Sequence, residues 1–351
     1  MRSMLIHQNF TGGNIRILKT DGDVVCLDNE LRDTLENWFY FAFCVEGAAG
    51  KTVTFRFPPV RIGPNGPAVS HDLANWNWLG STGESDAFTY RFGEEENRVY
   101  FAHDLLYHPN RFLAFCKEKN LPVQTFCLSE KGSRVPFVTF GDGERVILLT
   151  ARHHACESTG SYVLEGVLDE LLREPLANAK IVCVPFVDYD GVLAGDQGKS
   201  RAPHDHNRDY VSGREALYPS VREIRRIADR GVTYAFDFHS PWHCGGRNDH
   251  VFIVRKQKTF TPAYDRFSSF FASLAGGKAL AYDPAFDARP DVEWNASDAP
   301  CFGNYMLLYG RARLAFSLET PYFGRPEDVY SQEKAVETGR CFAKALRLFD
   351  K

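Results

Sequence analysis

His154 and Glu157 have two residues between them in the stretch ARHHACES (151–158), and a further histidine, His239, sits in DFHS (237–240). On a turn or first helical turn, that spacing lets an imidazole and a carboxylate face the same way. Two imidazoles and one carboxylate suit tetrahedral zinc with one position left for water. An isolated HxxE spacing is more often a satisfied polar cluster at a sheet edge, so the signal lies in its company. Glu319 finishes the apolar run of RLAFSLETPY (313–322). A carboxylate buried there has a raised pKa and is suited to take a proton from an activated water. Cys156 suggests a nucleophile, but the nearby histidines have better use as ligands than as its base. His153, next to the proposed ligand, points to the other side of the chain and is read as supporting.

A second group lies in GKSRAPHDHNRDY (198–210). Asn207-Arg208 sets an amide beside a guanidinium, whose planar fork can hold a carboxylate in two-point fashion. Arg201 adds a positive charge upstream. His204 and His206 form an HxH pair that suits metal, a lesser use of this loop. His243, in HSPWH, competes with His239 as a ligand, although Pro241 between them argues against one continuous helix.

These residues need a scaffold that brings distant segments to one place. RVILLTA (145–151), KIVCVPFVD (180–188), TYAFDFH (233–239), HVFIV (250–254) and RLAFSLE (313–319) read as buried strands. Helical patterns cover 111–120, 161–174, 220–231, 264–275 and 331–349. Buried strands alternating with helices predict an α/β domain with a mixed, largely parallel sheet flanked by helices. In such sheets chemistry collects beyond the carboxyl ends of the strands. Three of those ends carry His154 with Glu157, His239, and Glu319. Before residue 108 the texture differs: NWFYFAFCVEG (37–47), KTVTFRFP (51–58), TYRFG (89–93) and RVYFAH (98–103) are aromatic and β-branched, with turn residues between them. They predict an all-β sandwich domain over 1–107, ahead of an α/β domain over 108–351.

The bulk composition narrows the function classes. With 44% hydrophobic and 25% charged residues, the 351-residue chain reads as an ordinary globular protein. A net charge of −4 speaks against a nucleic-acid or membrane-surface binder. No apolar run has the length of a membrane span, and the N-terminus lacks a signal-peptide core. Nine scattered cysteines without CxxC spacing read as reduced thiols, which predicts a cytoplasmic location.

The order ARHHACES, GKSRAPHDHNRD, DFHS, SLETPY resembles the zinc carboxypeptidases of the carboxypeptidase A type, nearest their cytosolic carboxypeptidase branch, which includes tubulin deglutamylases. That branch reads A-R-x-H-P-G-E-[TS] at the first site, where Ala155 and Cys156 replace Pro and Gly. Its D-L-N-R motif appears as Asp205-His206-Asn207-Arg208, and its upstream pattern matches Asp190-Gly191-Val192, Gly195 and Arg201. The branch also carries a β-sandwich before its catalytic domain.

The resemblance implies one zinc ion held by His154, Glu157 and His239. It implies Arg201 at the scissile carbonyl, Asn207 and Arg208 on the substrate's terminal carboxylate, and Glu319 as general base. A tyrosine between the third ligand and the base is usual, with Tyr305 and Tyr309 as candidates. The implied activity is hydrolysis of C-terminal residues from peptides or proteins. The deglutamylase likeness points to acidic C-termini, for which Arg247, Arg255, Arg311 and Arg313 are candidate pocket cations. Aspartoacylase-type amidohydrolases of N-acyl amino acids share the fold and ligand set, but the N-terminal sandwich and the GKSR…NR spacing favour a peptidase. A non-catalytic peptide-end-binding protein of this fold would lack a ligand or the base, and none is missing here.

Overall fold

The structure is a computed structural model that describes residues 4–351. Nine strands come first: β1 (Leu5–His7), β2 (Arg16–Asp21), β3 (Val24–Asp28), β4 (Ala42–Glu46), β5 (Thr52–Arg56), β6 (Ala68–Ser70), β7 (Asn77–Trp78), β8 (Ala87–Arg91) and β9 (Arg98–Ala102). They build a five-stranded sheet, β1-β4-β9-β6-β7, and a four-stranded one, β2-β3-β5-β8. All pairs are antiparallel except β3 with β5. The alternation Val53, Phe55 on β5 and Phe41, Phe43, Val45 around β4 sends these side chains to one face. There they meet Val25, Leu27, Phe88, Val99 and Phe101 in a core shared by the two sheets.

Helix α1 (Pro109–Glu118) opens the second part, with the His108 side chain accepting from the Asn110 N–H at its start. The following elements are β10 (Gln124–Leu128), β11 (Arg134–Phe140), β12 (Arg145–Ala151), α2 (Ser158–Arg173), β13 (Ala179–Val184), α3 (Tyr189–Ala194), α4 (Pro219–Arg230), β14 (Tyr234–His239), β15 (Phe252–Val254), α5 (Thr261–Leu274), α6 (Phe302–Leu308), β16 (Leu314–Glu319) and α7 (Gln332–Phe349). The seven strands are ordered β10-β11-β13-β12-β14-β16-β15. β12, β13, β14 and β16 are mutually parallel, while β10, β11 and β15 supply antiparallel edges. The parallel strands are apolar almost throughout because helices cover both faces. One face packs under α2, α5 and α7 through Phe236, Phe316 and Phe342, the other under α4 and α6 through Ala235, Ala315 and Met306.

This mixed α/β architecture was legible in the periodicity. Several elements were not, β2, β10 and β11 among them. β2 is exposed along its whole length, so it carries no burial alternation. β10 has no fully buried residue, and β11 contains Pro136. Tyr40, Ala42, Ala68, Trp76 and Ala102 from the N-terminal part belong to the same apolar cluster as Ile147 and Phe236. The two parts of the chain therefore share packed core, and the N-terminal strands can reach the end of the large sheet where the site lies. No helix among the described residues is long and apolar enough to cross a membrane.

Candidate metal centre and cleft

β12 leaves the sheet at Ala151 and turns sharply at Arg152, a non-glycine residue with φ of +59°. The Arg152 guanidinium is buried and donates to the carbonyls of Ala155 (2.8 Å, through Nε) and Tyr107 (3.3 Å). These bonds offset the conformational cost of the left-handed residue and fix the loop that bears His154. Glu157 follows at the N-terminus of α2, where the helix dipole favours an anion. β14 delivers His239 and β16 delivers Glu319 as directly paired neighbours.

The imidazole Nδ1 of His154 lies 3.0 Å from Glu157 Oε1, and that of His239 lies 2.6 Å from Glu157 Oε2. Donor atoms of these three residues all fall within 4.8 Å of one another. Two imidazole nitrogens and a carboxylate are a donor set for a divalent metal. Both rings are backed from behind. His239 Nε2 bonds Asp237, two residues earlier on the same strand face, and His154 Nε2 faces Asp205 Oδ1 at 3.6 Å. Carboxylates in that position fix the tautomer and raise the basicity of a ligating histidine.

His153, Asp237 and His239 form a second convergent group. It suits a metal at the cleft less well, because neither His153 nor Asp237 lines it; the fully buried His153 is bonded through Nδ1 to Asp237 (2.8 Å) and through Nε2 to the Tyr210 hydroxyl (2.7 Å). Burial opposes ionisation of Asp237, yet the imidazoles of His153 and His239 hold its carboxyl well below the usual range. His153 thus belongs to the scaffold behind His239. A third group, His7, Cys44 and Glu46, lies on β1 and β4, where Glu46 is committed to Arg98 at 2.7 Å.

A cleft of about 310 Å³ opens over His154, Glu157 and His239. Asn207, Arg208 and Glu319 also line it. The Asn207 amide oxygen accepts from the Phe302 N–H at 3.1 Å, which fixes the side chain at the cleft wall. Arg208 is exposed, and its guanidinium has no ion pair among the described residues. Glu319 Oε2 is buried with no hydrogen-bond partner. Burial pushes the Glu319 carboxyl upward; His239 opposes that, Glu157 adds to it, and the net direction is up. An orphaned carboxylate oxygen beside a convergent donor set is a group waiting for a mobile partner.

Several expected residues lie elsewhere. Arg201 does not line this cleft. Its guanidinium is held by Asp188 (2.7 Å), Asp33 (3.0 Å) and Asp196 (3.3 Å) in a neighbouring depression, and these carboxylates outcompete any pull towards the metal centre. Lys199, two residues earlier, enters the cleft instead, with Nζ 2.5 Å from Glu157 Oε1. Tyr305 and Tyr309 are also outside. Tyr305 donates to Asp229 at 2.9 Å, the Tyr309 ring packs against it at a tilt, and no tyrosine is among the residues lining the cleft.

The proposed pocket arginines are likewise spoken for or remote. Arg247 pairs with Glu293 (2.6 Å), Arg255 with Asp265 and Asp287, and Arg311 and Arg313 line no part of the cleft. The cation that reaches the interior is Lys256, next to Arg255. Of the other histidines, His204 bonds Asp209 (2.9 Å), His206 stacks on Tyr218, and His243 stacks on Phe39. Cys156 is buried, and burial pushes its thiol up to about 12, which removes it as a nucleophile at neutral pH. Asp205, Asp237, Lys199 and Lys256 were missed by sequence reasoning. Only Asp237 had a readable signal, its period-two spacing from His239.

No family model matches the sequence. The chain is similar to cytosolic carboxypeptidase 6 of Caenorhabditis elegans, 25% identical over 419 residues covering 99% of this chain and 87% of that protein. It is also similar to cytosolic carboxypeptidase 2 of Xenopus tropicalis, 26% identical over 195 residues, 47% of this chain and only 20% of the length of that relative. In fold it matches the crystal structure of a metallo-carboxypeptidase from Burkholderia cenocepacia, with a TM-score of 0.80 at 18% identity, covering 99% of both chains.

Proposed function

The chain belongs to the zinc carboxypeptidase family, and from that premise we propose that it hydrolyses the C-terminal residue of peptides or proteins with one zinc ion. His154, Glu157 and His239 would hold the metal. The observation that carries this reading is the convergence of two Nδ1 atoms on one carboxylate, next to an unpartnered Glu319. When bound, zinc lowers the pKa of water towards 7 and supplies a Lewis acid at the substrate carbonyl.

The chain's own residues do the rest. Arg208 and Asn207 hold the terminal carboxylate, which sets the last peptide bond over the ligand cluster. Glu319 removes a proton from the attacking water as the new C–O bond forms. It returns a proton to the leaving amine as the C–N bond breaks. A raised carboxyl pKa suits both transfers, because the ideal acid–base group sits near the working pH. The mixed charge of the cleft, with Arg208 and Lys256 free of carboxylate partners, favours an anionic substrate end. We place the domain boundary at 107/108 and the enzyme in the cytoplasm, a compartment in keeping with nine free thiols.

The acidic preference belongs to the same reading. The Lys256 ammonium is buried, donates to the Asn295 amide oxygen at 2.7 Å, and has no ion pair among the described residues. A buried ammonium satisfied by a neutral amide is well placed to receive a side-chain carboxylate. Removing one member of such a buried pair costs about 2–5 kcal/mol. Lys256→Ala should therefore lower kcat/KM on Glu-terminated peptides by about 30-fold or more, with little change on Ala- or Phe-terminated ones. Equal rates of the unaltered enzyme on Glu, Lys and Phe termini would eliminate the acidic pocket.

A further inference from the structure

We propose that Lys199, in place of an arginine, is the cation that polarises the scissile carbonyl, and that the segment between β3 and β4 positions it. The inference deepens the peptidase reading above and rests on it. A tetrahedral oxyanion needs a fixed positive charge near the ligand cluster, and Arg201 is locked to three aspartates outside the cleft. Lys199 is inside, its ammonium 2.5 Å from Glu157 Oε1.

The segment carrying Lys199 is held tightly against the ligand loop. Gly198 adopts a φ of +76°, and a Cβ there would stand 2.0 Å from the Ala155 nitrogen. Only glycine allows this approach, which sets residue 199 beside the loop that bears His154. The Cys156 N–H donates to the Gln197 carbonyl at 3.2 Å. From the other side, the Asp33 carboxylate accepts from the N–H groups of Gln197 (3.0 Å) and Gly198 (2.8 Å). The Gln197 side chain accepts from Tyr40 N–H and donates to Tyr40 C=O.

The Trp38 ring lies 4.5 Å from Lys199 Nζ, within cation–π range. Asp33, Trp38 and Tyr40 all lie between β3 and β4, so that connecting segment supplies the seat on which the ammonium rests. This gives the N-terminal part a direct function at the site. A lysine also suits the geometry. Its ammonium is a compact charge on a flexible stem and can follow a carbonyl oxygen as charge grows on it.

The test uses the full, zinc-loaded chain and K199M, which keeps the aliphatic stem over Trp38, together with K199R. Three quantities are read: metal content, kcat and KM on one peptide, and the affinities of a phosphonate peptide analogue and of the product amino acid. For K199M the expected result is unchanged metal content, kcat lower by about 10²- to 10³-fold, and phosphonate binding weaker by a similar factor. Product affinity should stay within about threefold, and K199R should recover part of kcat. Trp38→Leu should lower kcat about tenfold with KM little changed, as a positioning residue would.

The proposal fails if metal-loaded K199M keeps its kcat and its phosphonate affinity. It also fails if K199M loses metal and excess zinc restores full turnover, which would make Lys199 a partner of Glu157 only. If K199M does not fold, a K199R variant whose kcat and phosphonate affinity fall together while product affinity stays within about threefold supports the proposal, and one whose phosphonate and product affinities fall equally, or whose kcat and phosphonate affinity are both unaltered, overturns it. If the unaltered zinc-loaded chain releases no C-terminal residue, the peptidase reading itself has failed.

Discussion

Glu319→Gln is expected to retain one metal per chain while its kcat falls by about 10²- to 10⁴-fold, the range for a lost general acid–base group. Glutamine has nearly the same volume and can stay in the same pocket, so β16 and its pairing with β14 should be undisturbed. What it cannot do is accept a proton. The carboxylate is buried, Oε2 has no partner, and its neighbours are the proposed ligands Glu157 and His239. Burial makes it a stronger base than an ordinary glutamate, and its place beside His239 puts it next to any water the metal centre activates. The check is kcat per metal-loaded molecule, with metal measured on the same preparation. A variant that kept both metal and turnover would remove Glu319 as the base.

The second large effect is expected at His154. His154→Ala should weaken metal affinity by more than the 10- to 100-fold typical of losing an outer hydrogen-bond partner, and turnover should fall with occupancy. Of the three proposed ligands, His154 is the one whose removal disturbs the fold least, because it sits at the cleft edge and its partners Glu157 and Asp205 have others. Glu157 keeps Lys199 and His239, and Asp205 keeps the Arg208 N–H.

Thermal denaturation separates a metal defect from a folding defect. A ligand that binds only the folded state stabilises it by about 2.7 kcal/mol at a free concentration of 100 Kd. The unaltered chain should therefore gain in Tm when zinc is added. His154→Ala should match its metal-free Tm and lose most of that gain. An unchanged zinc response would contradict the assignment of His154 as a ligand.

The convergence of the proposed ligands with Glu319 was legible because the sheet end is a local consequence of sequence. Each apolar strand announces its own last residue, so His239 and Glu319 could be read directly, and His154 with Glu157 by spacing. The cations were not legible, because their direction depends on distant partners. In GKSR, Arg201 turns away towards Asp33, Asp188 and Asp196, while Lys199 turns in over Trp38. Two of those contacts come from residues more than 160 positions upstream. The same holds for Lys256 and Arg255: neighbours on one strand end, they face Asn295 and Asp287 respectively. Tyr305 was misplaced because α6 was not foreseen, and that helix turns it towards Asp229.

Proximity to the shared core also explains why the first nine strands matter to the site. Their sandwich core is a cluster of its own, but Asp33, Trp38 and Tyr40, in the segment between β3 and β4, reach the loop at 196–201. Variation at these three positions should act on turnover before it acts on the metal.

The most direct test of the account is product analysis by mass spectrometry with the zinc-loaded chain and two versions of one Glu-ending peptide, one with a free C-terminus and one amidated. The account predicts loss of a single C-terminal residue from the free peptide, an intact amide, no cleavage after chelation, and recovery when zinc is returned. Cleavage of the amide at an equal rate, or hydrolysis of an N-acyl amino acid with both peptides untouched, would contradict it.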